Sequence, residues 1–263
     1  MRKSVACVAF VLGTIVVAAQ DNYQFTDPNV QDLFRYARMA VGSAVSKVKA
    51  FEMRGKSKVD FNGSLIDCAV NIKILLPDHY LRVDATATDA KLAGYAGRNV
   101  LNAIRTGDGF FQTPPENLTP AILKNEQARL ARLLLGMATY VTPDVALTFR
   151  SAGLVGGMVD PRDSPKATAT AQGRAEPNVA EVTGSNQFRA RLVIGASSRM
   201  PERLIYPGNP GPEETMMFED RREVAGLQLP FKITTTAGGR IIDLLLFDEI
   251  GVNPEIAKGD FKR

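Results

Sequence analysis

The chain reads as an α+β protein, with about ten antiparallel strands and two long helices, one ahead of the strands and one inserted midway. Three features predict this. The run 215–247 is strand-like on both sides of Gly238-Gly239, a pair suited to a two-residue hairpin turn with positive φ. An earlier run behaves likewise about Asn62-Gly63, the strongest short hairpin signal. Two other stretches space their apolar residues by three and four, the period of a helix. With 263 residues, 45% hydrophobic and 23% charged, the chain is long enough for one large domain with its own core.

The N-terminus has the pattern of a secretory leader. Arg2 and Lys3 precede an apolar stretch, 5–19, in which Val17 and Ala19 suit the small-residue cleavage rule. That stretch is shorter than the roughly 20 residues a spanning helix needs. A cleaved signal peptide over 1–19 is therefore expected, with a single domain over 20–263. Losing Arg2 and Lys3 would lower the formal charge from +4 to +2. No basic stretch combines density with interleaved aromatics, so nucleic acid is not an expected partner. Cys7 sits too early for a lipidation signal, and its loss leaves Cys68 without a disulfide partner in the chain.

Asp27-Pro28 then starts a helix, with Asp as the cap and Pro at the first helical position. Val30, Leu33, Phe34, Ala37, Val41, Val45, Val48 and Phe51 extend one amphipathic pattern over about six turns. Folding the next run about Asn62-Gly63 sets Val59 opposite Ile66, Ser57 opposite Cys68, Gly55 opposite Val70 and Met53 opposite Ile72. The other face pairs Lys58 with Asp67 and Glu52 with Lys73, opposite charges that favour this register. Gly55 and Ser57 leave gaps in the inner face. Beyond a turn at 76–79, Leu81, Val83 and Ala85 alternate with Arg82 and Asp84 in a third strand.

The segments 100–105 and 110–111 flank a turn at 106–109 as a weaker hairpin. Thr119-Pro120 caps a second helix, with Leu118 and Leu123 placed as a hydrophobic staple. Its later turns are apolar nearly all round, at Leu130, Leu133, Leu134, Leu135 and Met137, so it is buried or covers something. After a strand at 145–149, the Pro-, Ala-, Thr- and Ser-rich stretch 160–178 reads as a mobile loop. Further strands are expected at 179–183, 188–194, 203–206 and 216–233, the last with a tight turn at Ala225-Gly226. An ideal turn at Gly238-Gly239 pairs Thr235 with Ile242, Ile233 with Leu244 and Phe231 with Leu246, which leaves Asp243 on the opposite face.

Chemistry-bearing patterns are scarce. The chain has one His, His79, no Cys cluster, and no phosphate loop, nucleophile elbow or dinucleotide fingerprint. His79 reads as a packing or surface residue. Asp84, Asp243, Asp248 and Glu249 are candidates for an acid–base pair, although their spacing on strands fits a solvated face better. No catalytic residue, metal or cofactor is expected.

The order of parts resembles the periplasmic outer-membrane lipoprotein carrier and sorting (LolA-like) family. The resemblance lies in the leader, the helix ending in Lys49-Ala50-Phe51, PDHYLRVD (77–84), ARLVIGASSRMPERLIY (190–206), FEDRREVAGLQLPFKI (218–233) and VNPEIAKGDF (252–261). It implies an unclosed antiparallel β-barrel wrapped over helices, soluble in the periplasm, whose concave apolar face receives the acyl chains of a lipoprotein or lipid. The family's best-known carriers place an Arg before the Pro that opens the third strand; this chain has Leu76 there.

On this view Met53, Val59, Ile66, Val70, Ile72, Ile233, Leu244 and Leu246 line the cavity, and the helix bearing Leu130, Leu134 and Met137 is its lid. Transfer partners at the inner and outer membranes, and a monomeric protein, follow from the same resemblance. The alternative is a structural or interaction protein of the envelope in which those residues are packed solid. An enzyme would need converging polar groups.

Overall fold

A computed structural model describes residues 23–61, 64–105, 111–112, 118–138, 147–153, 178–208 and 211–261. The expected leader, the turn residues 62–63 and 106–109, and all but the last residue of the 160–178 stretch lie outside the described residues.

The chain opens with β1 (Tyr23–Phe25) and α1 (Pro28–Val41). Asp27 caps α1, its Oδ1 accepting from the Asn29 N–H at 2.8 Å, with Pro28 at the first position as expected. The helix is shorter than its apolar pattern suggests. Gly42, at φ 139°, ends it, and a 3₁₀ turn over Ser43–Lys47 leads to β2 (Ala50–Phe61). A side chain at 42 would overlap the Gly226 carbonyl, so close approach as well as φ requires glycine there. Val45 and Val48 are still buried, because a 3₁₀ turn returns to the same face every three residues.

β3 (Ser64–Leu75) pairs with β2 in the expected register, Phe51 with Ile74 through Val59 with Ile66, and Lys58 meets Asp67 at 2.9 Å. Antiparallel neighbours follow as β4 (His79–Ala85), β5 (Ala90–Ala96) and β7 (Ala103–Arg105), with β6 (Asn99–Val100) on β5 and β8 (Phe111–Gln112) closing the weaker hairpin. α2 (Thr119–Gly136) comes next. Its first turn is capped from Leu118 without a side-chain bond, and Leu118 is 48% exposed, so neither the Thr119 cap nor the staple forms.

The second half runs from β9 (Leu147–Gly153) through β10 (Asn178–Gly184), β11 (Arg189–Ile194), β12 (Pro201–Tyr206), β13 (Glu214–Val224) and β14 (Leu227–Ala237) to β15 (Arg240–Val252). Ala225-Gly226 and Gly238-Gly239 both turn with two positive φ angles, as their hairpins demand. Among the described residues fifteen strands form one sheet; the surplus over ten comes from short strands such as β1, β6 and β8. Every pairing is antiparallel except β1 with β9. β15 lies beside β2, which joins the two halves at the centre, while β1 and β8 end the sheet without meeting. The barrel is unclosed.

This order places α2. It connects β8 to β9, near opposite ends of the sheet, so it crosses the concave side and packs on β12 in one half and on β5 and β6 in the other. Gly136 seats its C-terminal end, since a side chain there would overlap the Phe218 ring. Arg221 holds the same end by donating to the carbonyls of Gly136, Pro201 and Gln228, the last at 2.9 Å, thereby placing positive charge where the helix dipole is negative. Burial among neutral acceptors pulls the Arg221 pKa down to about 10.

α1 covers β9 and β14, and its Phe34 packs on Phe25 and Phe149. A smaller apolar cluster forms on the other face of the sheet. Leu81, Leu101 and Phe261 make it, with Leu75, Val83, Leu92 and Ile256 against them. His79 packs its ring edge-on to Phe261 at 5.1 Å, with Nδ1 2.7 Å from Asp78, which is a packing role. The C-terminal segment that covers this cluster is tied down by Asn253. Its Oδ1 accepts from the N–H of Lys49 at 2.6 Å and of Ala50 at 3.3 Å, and its amide donates to the Lys47 carbonyl at 3.2 Å.

Asn253→Ala should therefore cost about 1–3 kcal/mol, the penalty for leaving backbone groups unpaired at the start of β2. Urea unfolding checks this, and an unchanged midpoint would show that water replaces the amide at no cost.

Candidate functional site

The concave face is where sequence and structure part most clearly. Across the turn between β3 and β4, Tyr80 pairs with Ile74, Arg82 with Ile72 and Asp84 with Val70. Residues paired across an antiparallel ladder share a face, so Arg82 and Asp84 point inward with the isoleucines, and Leu81 and Val83 join the outer cluster beneath the C-terminal segment. The expected solvated face of β4 is thus its buried one.

β15 also departs from its expected pairing. The Gly238-Gly239 turn pairs Ala237 with Arg240 and Thr236 with Ile241, but a bulge then inserts Ile242, and Thr235 pairs with Asp243, Thr234 with Leu244, Ile233 with Leu245 and Lys232 with Leu246. One inserted residue reverses every later side chain. Leu245 and Phe247 face the core, Leu244 is half-buried, and Leu246 is 38% exposed on the outer face. Asp243 turns inward.

The inward faces of β4 and β15 bring Arg82, Asp84 and Asp243 together. Arg82 Nε and Nη2 donate to Asp84 at 2.8 and 3.0 Å, while Nη1 and Nη2 donate to Asp243 at 2.6 and 2.8 Å. Ser57 adds its hydroxyl to Asp84 Oδ1 at 2.7 Å, so it is no gap. Gly55 is no gap either: a side chain there would strike the backbone of Leu246 and Phe247, beside a second bulge in β15. The Arg82 side chain is only 6% exposed. Burial works against its charge, but attraction and hydrogen bonding to Asp243, with Asp84, hold its pKa well above the ordinary value. Lys91, in register with Asp84 on β5, adds positive charge to this doubly acidic group.

Between this cluster and α2 lies a cavity of about 320 Å³. The sheet contributes Val59, Ile72, Tyr80 and Ile233; α2 contributes Asn125, Arg129, Arg132 and Leu133; Tyr206, Glu214 and Met216 close the far side. Burial pushes the Tyr80 hydroxyl up to about 12. Val59, Asp84 and Lys91 also border an adjacent, mainly apolar groove of about 300 Å³, lined further by Ile66, Cys68, Ala90 and Ile104 with Thr86 and Asp89. Each volume reaches the lower range of small-molecule pockets, about 300–1,000 Å³.

Of the residues singled out in the sequence, Val59, Ile72 and Ile233 line the cavity, and Val59 and Ile66 line the groove. Met53 and Val70 face inward but are packed in the core, as are Leu130, Leu134 and Met137. The apolar stripe of α2 thus meets protein, and what it shows the cavity is mainly Asn125, Arg129 and Arg132. Sequence reasoning missed these residues and the Arg82 cluster. A signal was present for the cluster, since carrying the inward pairs Val70, Ile72 and Ile74 across the turn selects Tyr80, Arg82 and Asp84. Among the described residues no group of three His, Cys, Asp or Glu is placed to hold a metal ion, and no helix is long and apolar enough to cross a membrane.

These features define a class of protein: an unclosed antiparallel half-barrel, crossed by a helix on its concave side, with an internal cavity beside an apolar groove. A solved DUF1329 family protein from Desulfovibrio piger has the same fold, with a TM-score of 0.53 at 8% identity over 89% of this chain and 97% of that one. A LolA superfamily protein from Nitrosomonas europaea is similar at a TM-score of 0.48 and 11% identity, over 89% and 98% of the two chains. No family model and no curated protein matches the sequence. The unclosed antiparallel half-barrel covered by helices is the fold class that the sequence predicts, and the Desulfovibrio piger protein shares it.

Replacing Arg82 by Met should destabilise the protein by about 3–5 kcal/mol, because two carboxylates are left without their cation. Adding Asp84→Asn and Asp243→Asn should restore most of this loss in urea unfolding; no recovery would show that Arg82 acts through packing alone. Cys68 lies opposite Ser57 as expected and is half-buried; burial first, then the Asp84 charge, raises its thiol pKa. A raised pKa means less thiolate at pH 8, so a polar disulfide reagent should label native Cys68 more slowly than the unfolded chain, and the apparent pKa read from rate against pH should exceed that of a free thiol. Equal rates would show an open, unperturbed thiol.

Proposed function

We propose that this protein is an exported, periplasmic, non-enzymatic carrier that holds an acyl chain of a lipoprotein or lipid on the concave face of its half-barrel. Donor and acceptor partners at the inner and outer membranes, and action as a monomer, belong to the same proposal. The observation that carries it is the internal cavity with an apolar groove beside it, the two sharing Val59, Asp84 and Lys91. Such an arrangement suits a molecule with an apolar chain and a polar end. Burying a chain contributes about 0.8 kcal/mol per CH₂, enough for firm retention of even one chain. A second reading, a structural or interaction protein of the envelope, draws on the packing of Met53, Val70, Leu130, Leu134 and Met137 into the core.

Binding of a fluorescent fatty-acid probe to delipidated protein separates the two. The carrier reading expects saturable binding that Val59→Phe, at the junction of cavity and groove, weakens about tenfold or more, a loss of about 1.4 kcal/mol. Lys58→Ala, on the outer face, should change nothing. If the delipidated wild type binds no acyl probe, the structural reading replaces the carrier.

A further inference from the structure

The cavity wall contributed by α2 is not what an acyl chain alone requires. Asn125, Arg129 and Arg132 recur at intervals of four and three, so they form one stripe along the helix, turned to the cavity. Desolvating guanidinium groups is costly unless anions accompany them. Arg82 has two carboxylates. Arg129 has Glu126 at 3.3 Å, yet 40% of its side-chain surface stays open although it lies inside the half-barrel; that surface faces the cavity. Arg132 has neither arrangement. Its guanidinium stacks over the Tyr206 ring at 3.9 Å, and its Nε is buried without a hydrogen-bond partner. Glu214, across the cavity beside Tyr206, attracts it from a distance without forming an ion pair, and burial leaves its pKa below the ordinary value. A buried donor of this kind lacks an acceptor, and an anionic oxygen in the cavity would supply one.

We propose that Arg132, with Arg129 and Asn125, binds the anionic headgroup, a phosphate or carboxylate, of an amphiphile whose apolar chain lies in the groove along Val59, Ile66, Cys68 and Ile104. The proposal rests on the carrier reading and adds the chemical class of the ligand. The groove and the cavity adjoin at Val59, Asp84 and Lys91, an arrangement that suits such a molecule. Planar guanidinium groups suit phosphate and carboxylate because both present paired oxygens to the fork. Asp84 and Asp243, the acidic groups at the junction, are engaged by Arg82 and Lys91 stands beside them, so the path between groove and headgroup is not lined by free carboxylates alone.

Calorimetric titration of the delipidated full-length mature protein with tetradecyl phosphate, myristate, 1-tetradecanol and inorganic phosphate tests this. Both anionic amphiphiles should bind about tenfold or more tightly than the alcohol, and inorganic phosphate should bind far more weakly than either. Arg132→Gln should bring the anionic amphiphiles to the affinity of the alcohol while leaving the alcohol unchanged. Should that variant fail to fold, Asn125→Asp, at an exposed position on the same stripe, should lower the anionic affinities about tenfold without affecting the alcohol. Equal affinities for alcohol and anions overturn the headgroup site while the carrier reading stands. Inorganic phosphate binding as tightly as tetradecyl phosphate overturns it too, in favour of a free-anion site. If no chain-bearing probe binds, the carrier reading falls with it.

Discussion

Arg82 is the point on which the shape of the molecule depends. It sits on β4, and its two partners sit on its own strand and on β15, three places away through β3 and β2. Strands so separated lie about 14 Å apart in a flat sheet. Curling brings their inner faces closer, and the doubly bidentate pairing, with Ser57 from β2, holds them there. Net attraction between buried charges is small once desolvation is counted, so the cluster adds little raw stability. Its contribution is to geometry: a sheet that flattens must strand charges in a place that water does not reach.

The same curvature makes a home for α2. A helix connecting strands near the two ends of an unclosed sheet has to cross its concavity, and the ends of that crossing are fixed by complementary devices. Gly136 allows the Phe218 ring against the helix, and Arg221 gathers carbonyls from the helix and from two strands. Along one face α2 stands away from the sheet enough to leave a cavity, and there its side chains are Asn125, Arg129 and Arg132, with Leu133. The helix is both a core element and a polar wall. For the carrier proposed above, an interior with these two characters suits an amphiphilic ligand better than a uniformly apolar one.

The outer face of the sheet matters in a quieter way. Leu81 and Val83 are covered by Phe261 and Ile256, in a C-terminal segment pinned by Asn253 to the start of β2. With apolar residues sheltered on that side, β4 is free to turn Arg82 and Asp84 inward. The two faces of one strand are thus set by two distant pieces of chain, α2 on one side and the C-terminus on the other.

What the sequence by itself determined was local. The turn at Ala225-Gly226, the Asp27 cap, the β2–β3 register and the class of the fold follow from short-range rules of backbone conformation and alternation, and a resemblance in the order of parts pointed to a half-barrel. What only the tertiary structure decided was which face is the inside. An alternating strand such as β4 carries apolar residues on one face and Arg82 and Asp84 on the other, and alternation alone assigns the apolar face to the core. The assignment reverses when a remote segment covers the apolar face and remote carboxylates neutralise the charges. In β15 a single bulged residue, Ile242, put Asp243 and Leu245 on the inner face in place of Leu244 and Leu246. Bulges answer to the twist that the whole sheet requires, and neither that twist nor the partners that make a buried arginine tolerable are encoded within any one stretch of the chain.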